Sequence, residues 1–341
     1  MALRTVTRGA VVRMGVVCGL TLAVGIVGWA WMIRMPGASH RGSLPPADAE
    51  TKAVAAQLDL DLTHLVDAIG ERNVDQKPLA LAQAADWIES SLLAAGYEPT
   101  RQTFEVRQVP CSNVEVELRG DTQPSAIVLI GAHYDSAQGT PGADDNGSGV
   151  VALLALARHF ARTTHPKTLR FVFFVNEEPP FFWGPDLGSV RYARRSRERN
   201  EDVRAMFALE TLGHFDDAEG SQRYPFPMSA FYPDRGDFVA FVGNTDSREL
   251  VRRSVGTFRG ATAFPSEGAA LPDKTTGVGW SDHEPFWNQG YPALMVTDTA
   301  LFRGTHYHTK NDVRAVVDTE RLARITIGLE RVIDGLVGEG S

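Results

Sequence analysis

The chain has 341 residues, 43% of them hydrophobic, which suits one large globular domain or two small ones. Its formal charge is −8, and because residues 1–47 hold five arginines and no acid, the remainder carries −13. That balance speaks against a nucleic-acid partner, since a phosphate-binding surface is basic.

From Met14 to Ile33 the chain reads MGVVCGLTLAVGIVGWAWMI, without a charge and close to the ~20 residues a helix needs to cross a bilayer. An uncleaved signal-anchor helix is expected over 14–33. Arg4, Arg8 and Arg13 precede it and Arg34 and Arg41 follow. This bias makes residues 1–13 a short cytoplasmic N-terminus and leaves the bulk of the chain, single-pass and extracytoplasmic, outside. A cleaved signal peptide is the alternative, but the run is longer than a usual signal core and lacks a small-x-small site before Arg34. Cys18 lies inside this run, out of reach of Cys111, so no disulfide framework is expected. Residues 34–47, rich in Pro, Gly and Ser, read as an exposed linker, and a folded domain is expected over 48–341.

Within that domain, apolar residues at helical spacing predict two early helices over 60–70 and 79–96, the second closed by Gly96. Residues 101–109 and 112–120 alternate like half-exposed strands, and 125–133 is a continuous apolar run of the kind buried in a central sheet. Residues 150–162 then predict a helix, 168–178 another buried strand, and 188–196 a further helix. Stretches 203–213, 237–243, 247–258 and 291–299 continue the alternation, and 318–337 forms a long amphipathic helix. The expected architecture is α/β, a mixed, mostly parallel central sheet with helices on both faces, preceded by one transmembrane helix. In such folds the binding crevice lies at the C-terminal ends of the strands.

The suspicious polar groups sit just past such strands. His133 follows 125–132, Glu177 and Glu178 follow 169–176, Glu210 follows 204–209, and THYHTKND (305–312) follows the apolar stretch that starts at 293. The segment HYDSAQGTPGADDNGSG adds Asp135, Asp144 and Asp145 to His133. An imidazole and three carboxylates pack poorly but ligate metals well when partners arrive from elsewhere. Adjacent glutamates on extended backbone point to opposite sides, so one of Glu177 and Glu178 can hold a metal while the other reaches the water beside it. A solvated loop pair is the alternative for them. Together His133, Asp145, Glu178, Glu210 and His308 suffice for two zinc ions that share one carboxylate and keep open positions for water. Asp135, two residues past His133, is placed to orient that imidazole.

In order, HYD, GADDNGSG, NEE, LETLG, SDHEPF and HYHTKND, spread over roughly residues 125–315, resemble the co-catalytic zinc aminopeptidases. That family also contains glutamate carboxypeptidases and, more distantly, glutaminyl cyclases and the transferrin receptor ectodomain. The resemblance implies the zinc aminopeptidase (phosphorylase-like) fold and a zinc-dependent exopeptidase, most simply an aminopeptidase that hydrolyses peptides with water activated by two zinc ions. It implies that His133 is a ligand oriented by Asp135, and that Asp145 bridges the ions through a peptide to Asn146 that is often cis in the family. It implies that Glu177 is the general base, Glu178 a ligand opposite His308, and Glu210 a ligand to the ion held by His133. Asp144 is then the non-ligand neighbour, and His308, directly before the threonine of His-Thr-x-x-Asp, is chosen over His306. Asp282, His283 and Asn146 are implied as supporting or substrate-contacting residues.

Two departures stand out. Glu210 falls where the family usually has aspartate, which implies a weaker second ion. Residues 179–189, PPFFWGPDLGS, form a longer link than the family's, expected either as an apolar wall of a specificity pocket or as a loop packed on the core. Residues 214–237 are expected as a rim whose aromatic content favours apolar substrate side chains, with a plain surface loop as the alternative, and His64, His159 and His165 as surface residues. Rival readings are a single-zinc cyclase-type acyltransferase, a non-catalytic ectodomain, and a carboxypeptidase that holds a free carboxylate with one of Arg191, Arg194, Arg235, Arg253 or Arg303. A serine nucleophile is unsupported, because no Gly-x-Ser-x-Gly occurs. Oligomeric state is not legible in the sequence.

Overall fold

The computed structural model describes residues 7–338; residues 1–6, with Arg4 of the basic N-terminus, and the last three residues lie outside the described part. The first helix, α1 (Arg8–Met32), starts six residues ahead of the apolar run, where the Thr7 side chain accepts from the Ala10 N–H, and none of its residues is buried.

The segment after α1, expected as an exposed linker, is a strap laid on the domain. Met35 enters the main core. Arg259 donates to the Pro36 carbonyl (3.1 Å), the Ser266 N–H to Ser39 Oγ (2.9 Å), and Arg324 to the Pro45 carbonyl (2.8 Å). Pro, Gly and Ser content signals only that a segment has no regular structure of its own; these contacts come from residues more than two hundred positions away.

Eight strands, β1 (Thr100–Val106), β2 (Val109–Leu118), β3 (Gln123–His133), β4 (Lys167–Phe174), β5 (Asp202–Glu210), β6 (Val239–Asn244), β7 (Ser266–Leu271) and β8 (Ala293–Thr297), form one sheet in the order β1-β2-β4-β3-β5-β8-β6-β7. Pairs β3–β4, β3–β5, β5–β8 and β6–β7 are parallel, and β1–β2, β2–β4 and β6–β8 antiparallel. This is the mixed, mostly parallel sheet that the alternation predicts.

Helices α2 (Ala49–Leu62), α3 (Pro78–Ala94), α4 (Gly149–Phe160), α6 (Arg248–Ala261) and α8 (Thr319–Gly338) cover one face of the sheet; α5 (Gly188–Glu198) and α7 (Glu284–Asn288) cover the other. Both faces are dry because β3 alternates within a wholly apolar run. Val128 and Ile130 enter the larger core, Ile127 and Leu129 the smaller. Each such fully buried aliphatic side chain contributes about 1.5–3 kcal/mol. Leu322, Ile325, Leu329, Ile333 and Leu336 repeat every three or four residues and give α8 its buried stripe.

The topology sets out the site. His133 is the last residue of β3 and Glu210 the last of β5, Glu177 and Glu178 follow β4, and His308 lies in the loop after β8. These parallel strands end on the same edge of the sheet.

Candidate metal centre

The loop between β3 and α4 is fixed before any ligand is considered. Gly142 has φ +64°, and a Cβ there would stand 2.5 Å from Ser136 Cβ and 2.6 Å from the Asp145 carbonyl oxygen. Only glycine fits. Fully buried Arg72 donates to the carbonyls of Pro141 (2.6 Å), Gly142 (2.9 Å), Gly70 (3.1 Å) and Tyr134. The two oxygens of Asp312 accept the N–H groups of Asp144 (2.8 Å) and Asp145 (3.1 Å). The Asp145–Asn146 peptide is cis. Asn146 then clamps the end of β5, donating to the Leu209 carbonyl (2.8 Å) and accepting from the Thr211 N–H (3.1 Å), so Asp145 and Glu210 are held in register.

Two clusters result, His133–Asp145–Glu210 and Asp145–Glu178–His308, each with its ligand atoms within 4.8 Å of one another. Asp145 is shared, one oxygen to each side: Oδ1 lies 3.4 Å from His133 Nε2 and Oδ2 lies 3.0 Å from His308 Nε2. His133 Nε2 stands 3.2 Å from Glu210 Oε2, and His308 Nε2 3.0 Å from Glu178 Oε2. Ligand atoms held at about 2.0–2.1 Å around a tetrahedral zinc are about 3.3 Å apart, so both clusters have suitable spacing. Their chemistry fits as well. Both ring nitrogens of His133, both oxygens of Glu178 and Oδ2 of Asp145 are buried without a hydrogen bond. Such orphaned donor atoms of mixed imidazole and carboxylate type are what zinc satisfies.

Around the clusters, Asp135 accepts from the N–H groups of Glu177 and Glu178 (3.1 Å each) and holds Oδ1 3.5 Å from His133 Nδ1. It therefore fixes the twin glutamates as well as the imidazole. Glu177 belongs to neither cluster; its Oε2 lies 3.8 Å from His133 Nε2. Ser281 Oγ donates to Glu210 Oε2 (2.7 Å). His306 pairs with Asp144 (3.1 Å) and not with a ligand cluster. His283 is fully buried, its Nε2 2.7 Å from the Val278 carbonyl and its ring edge-on to Trp287. Asp282, also fully buried, has both oxygens without a hydrogen bond.

The charges strain against one another. Burial pushes Glu177 far above the usual carboxylate range despite the nearby His133, with Glu210, Glu178 and Asp282 adding repulsion. Burial and then Asp145 raise Glu178 to about 8, and burial raises Asp282 to about 7. Burial would raise Asp145 too, but His133 and His308 outweigh it and hold this carboxyl low. Both imidazoles are raised despite burial, His133 chiefly by Glu210 and Glu177, and His308 to about 10 by Asp145 and Glu178. The site favours positive charge throughout.

An apolar cavity opens beside Glu210, lined by Tyr224, Met228, Tyr232, Phe238, Met295 and Tyr307 among others. The rim segment 214–237 contributes to it, whereas the proline-aromatic loop 179–189 does not. That loop follows the other expectation: Phe181 is buried under Arg107, and exposed Trp183 lines a separate surface cavity with Arg194. Four of the five arginines considered for a carboxylate are committed elsewhere: Arg191 to Asp186, Arg235 to Glu219, Arg253 to the Gly335 carbonyl, and buried Arg303 to Gln222 and the carbonyls of His214 and Phe238; Arg194 lines the surface cavity beside Trp183 and not the cavity beside Glu210. His64 and His159 are exposed, as expected, and His165 half-buried. Sequence reasoning missed Arg72 and the supporting roles of Ser281 and Asp312; Ser281 opens SDHEPF and Asp312 closes His-Thr-x-x-Asp, so these two lay inside motifs, whereas Arg72 carried no sequence signal.

The model of Peptidase family M28 matches residues 113–332. The Escherichia coli protein YfbL, described as uncharacterized, is 34% identical over 282 residues, covering 80% of this chain and 85% of its own. Leucine aminopeptidase 1 of Emericella nidulans is 26% identical over 221 residues, covering 59% of this chain and half of its own length (50%). The fold of a zinc aminopeptidase from Bacillus subtilis superposes with a TM-score of 0.66 at 15% identity, over 88% of this chain and 97% of that one.

Proposed function

The chain belongs to peptidase family M28 and is a metallopeptidase, and we propose from that premise that residues 48–341 form a two-zinc aminopeptidase releasing N-terminal residues from peptides. The observation that carries the two-ion reading is Asp145, whose separate oxygens face His133 and His308. One ion would be held by His133, Asp145 and Glu210, the other by Asp145, Glu178 and His308. When bound, the zinc ions polarise the scissile carbonyl and make water more acidic.

The remaining steps belong to the chain. Glu177, outside both clusters but 3.8 Å from the His133 ring, removes the proton of the attacking water and returns it to the leaving amine. Asp135 keeps the twin glutamates apart by holding both of their N–H groups, so base and ligand do not exchange roles. The cavity beside Glu210 takes the apolar side chain of the N-terminal residue. The absence of any arginine from the lining of the cavity beside Glu210 favours an aminopeptidase over a carboxypeptidase, which needs a cation for the free carboxylate. Asn146, Asp282 and His283 act in support, by holding the end of β5, adding negative charge and packing the wall.

The membrane part of the reading rests on α1, whose 25 residues have a mean hydropathy of 2.2 in their most apolar window and no buried side chain. We place it as an uncleaved anchor, N-terminus inside, with the catalytic domain extracytoplasmic; a signal sequence would satisfy the same composition.

Metal analysis of protein purified without chelator is expected to approach two zinc ions per chain, with Asp145→Asn losing both while circular dichroism stays unchanged. Peptides with free N-termini and amidated C-termini should be cleaved, and N-acetylated ones spared. One firmly bound zinc with full activity and cyclisation of N-terminal glutamine would assign the chain to the cyclase chemistry instead.

A further inference from the structure

The strap and the cavity meet at one place. Met32, the last residue of α1, packs on a small apolar cluster of Ala269, Leu271 and Val278, and so do Met228 and Tyr232 of the segment Tyr224–Tyr232. The same cluster and the same two residues line the apolar cavity that reaches Glu210. The end of the membrane helix, the aromatic segment and the cavity therefore share one wall.

Their mutual placement is not left to a swivel. Arg248 donates to the Trp31 carbonyl and lies over its ring, Arg252 donates to the Arg34 carbonyl, and Arg259 holds Pro36, which fastens the exit of α1 to α6. Arg41, further along the strap, stands 3.8 Å from Glu267 on β7. Trp29 and Trp31, both exposed near the end of α1, mark the level of a bilayer interface, where indole rings prefer to lie.

At that level the domain presents apolar side chains to the outside. Phe226 is 96% exposed and Phe231 is 45% exposed, two residues and one residue from Met228 and Tyr232 of the shared wall. Pro225 and Pro227 flank Phe226, and the Phe226–Pro227 peptide is cis. A phenylalanine held almost fully in water gains nothing from the protein, and removing its ring from water into a lipid interface is favourable.

We propose that the segment Tyr224–Tyr232 dips into the bilayer interface beside α1, through Phe226 and Phe231. The mouth of the apolar cavity then sits at the membrane surface, and the substrates best presented to it are peptides that partition into that surface by their apolar N-terminal residues. The occupant of the exposed aromatic face is the lipid interface, because α1 itself delivers the bilayer to that level. This rests on the reading of α1 as an uncleaved anchor.

The test uses the full chain reconstituted in vesicles of phosphatidylcholine with some phosphatidylglycerol, labelled with an environment-sensitive fluorophore at single cysteines. Cys18 is exposed and is replaced by serine; Cys111 is buried and does not label. The positions are Val24→Cys in α1, Phe226→Cys in the segment, and Leu79→Cys, exposed on α3, as the aqueous control. All three side chains are exposed, so the substitutions remove no core packing. Nitroxide placed deep on the lipid acyl chain should quench the label at 24, nitroxide placed near the headgroup should quench the label at 226, and neither should affect position 79. Quenching at 24 with none at 226 overturns the proposal and leaves the anchor standing, including the case in which the label at 226 is shielded by a second copy of the chain. Absence of quenching at 24 removes the anchor reading, and the proposal with it.

Discussion

Glu210 occupies the position where the sequence resemblance implies aspartate, and the structure supplies the reason it fits. The longer side chain ends 3.2 Å from His133 Nε2 and is steadied by Ser281 Oγ at 2.7 Å. Shortening it by one methylene withdraws the oxygen from both. Glu210→Asp is therefore expected to weaken zinc at the His133 cluster by about 10- to 100-fold, the usual cost of disturbing ligand support, and not to restore a tighter site. Competition with a graded series of chelators checks it; a variant that holds its second ion more tightly would contradict this geometry. The clustered residues were legible because each lies in a short motif at or after a strand end: His133 and Glu210 end β3 and β5, while Asp145, Glu178 and His308 follow β3, β4 and β8. Arg72 and Ser281 were not legible as supports: Arg72 acts on carbonyls 62 to 70 positions away and Ser281 on a carboxylate 71 positions away, pairings that no local pattern encodes.

At the scale of elements, α5 is tied to the sheet by charge as well as by the apolar contacts of Tyr192 and Ala193. Arg195 and Tyr192 donate to Glu115 on β2, while Arg170 on β4 joins Glu117, Glu201 and Tyr192. Burial works to raise the Glu115 pKa, and the hydrogen bonds from Arg195 and Tyr192 outweigh it, holding the carboxyl below its ordinary value of 4.5. A carboxyl more acidic in the folded chain binds fewer protons there than when unfolded in that range. Its contribution is therefore complete above the ordinary glutamate pKa and lost as pH falls through the folded value. Glu115→Gln should lower the melting temperature relative to wild type clearly at pH 7 and much less near pH 3; an equal difference at both would contradict the charge-based tie. The elements themselves were legible wherever apolar runs are long. Strand β7, SEGAAL, escaped because its small residues carry no alternation, and the Ala-rich start of α2 at Ala49 preceded the first clear periodicity by eleven residues. The turn of the β1–β2 hairpin falls at Arg107 and Gln108, both at positive φ, where no glycine or asparagine announces it.

For the whole molecule, the fold class followed from strand–helix alternation, whereas the docking of residues 34–47 on the domain could not, since composition does not report partners distant in sequence. If α1 stays attached and spans the bilayer, the chain keeps its N-terminal segment and remains with membranes after a high-salt wash, which releases proteins held by charge alone. Recovery of a soluble chain beginning near residue 35 would contradict anchorage. The strap adds a consequence: because Met35 enters the core and Arg259 holds Pro36, cleavage directly after α1 would leave new N-terminal residues already docked.

The division of labour between Glu177 and Glu178 is the centre of the account, and one side-by-side measurement addresses it: bound zinc and hydrolysis rate at neutral pH in Glu177→Gln and Glu178→Gln. Glu177→Gln is expected to keep its zinc and fold yet lose turnover by ~10² to 10⁴, the usual contribution of a positioned general base. Glu178→Gln is expected to lose zinc, because a neutral amide replaces a charged oxygen ligand. Zinc lost from Glu177→Gln but kept by Glu178→Gln would reverse the two roles, and normal rates in both would contradict catalysis at this site.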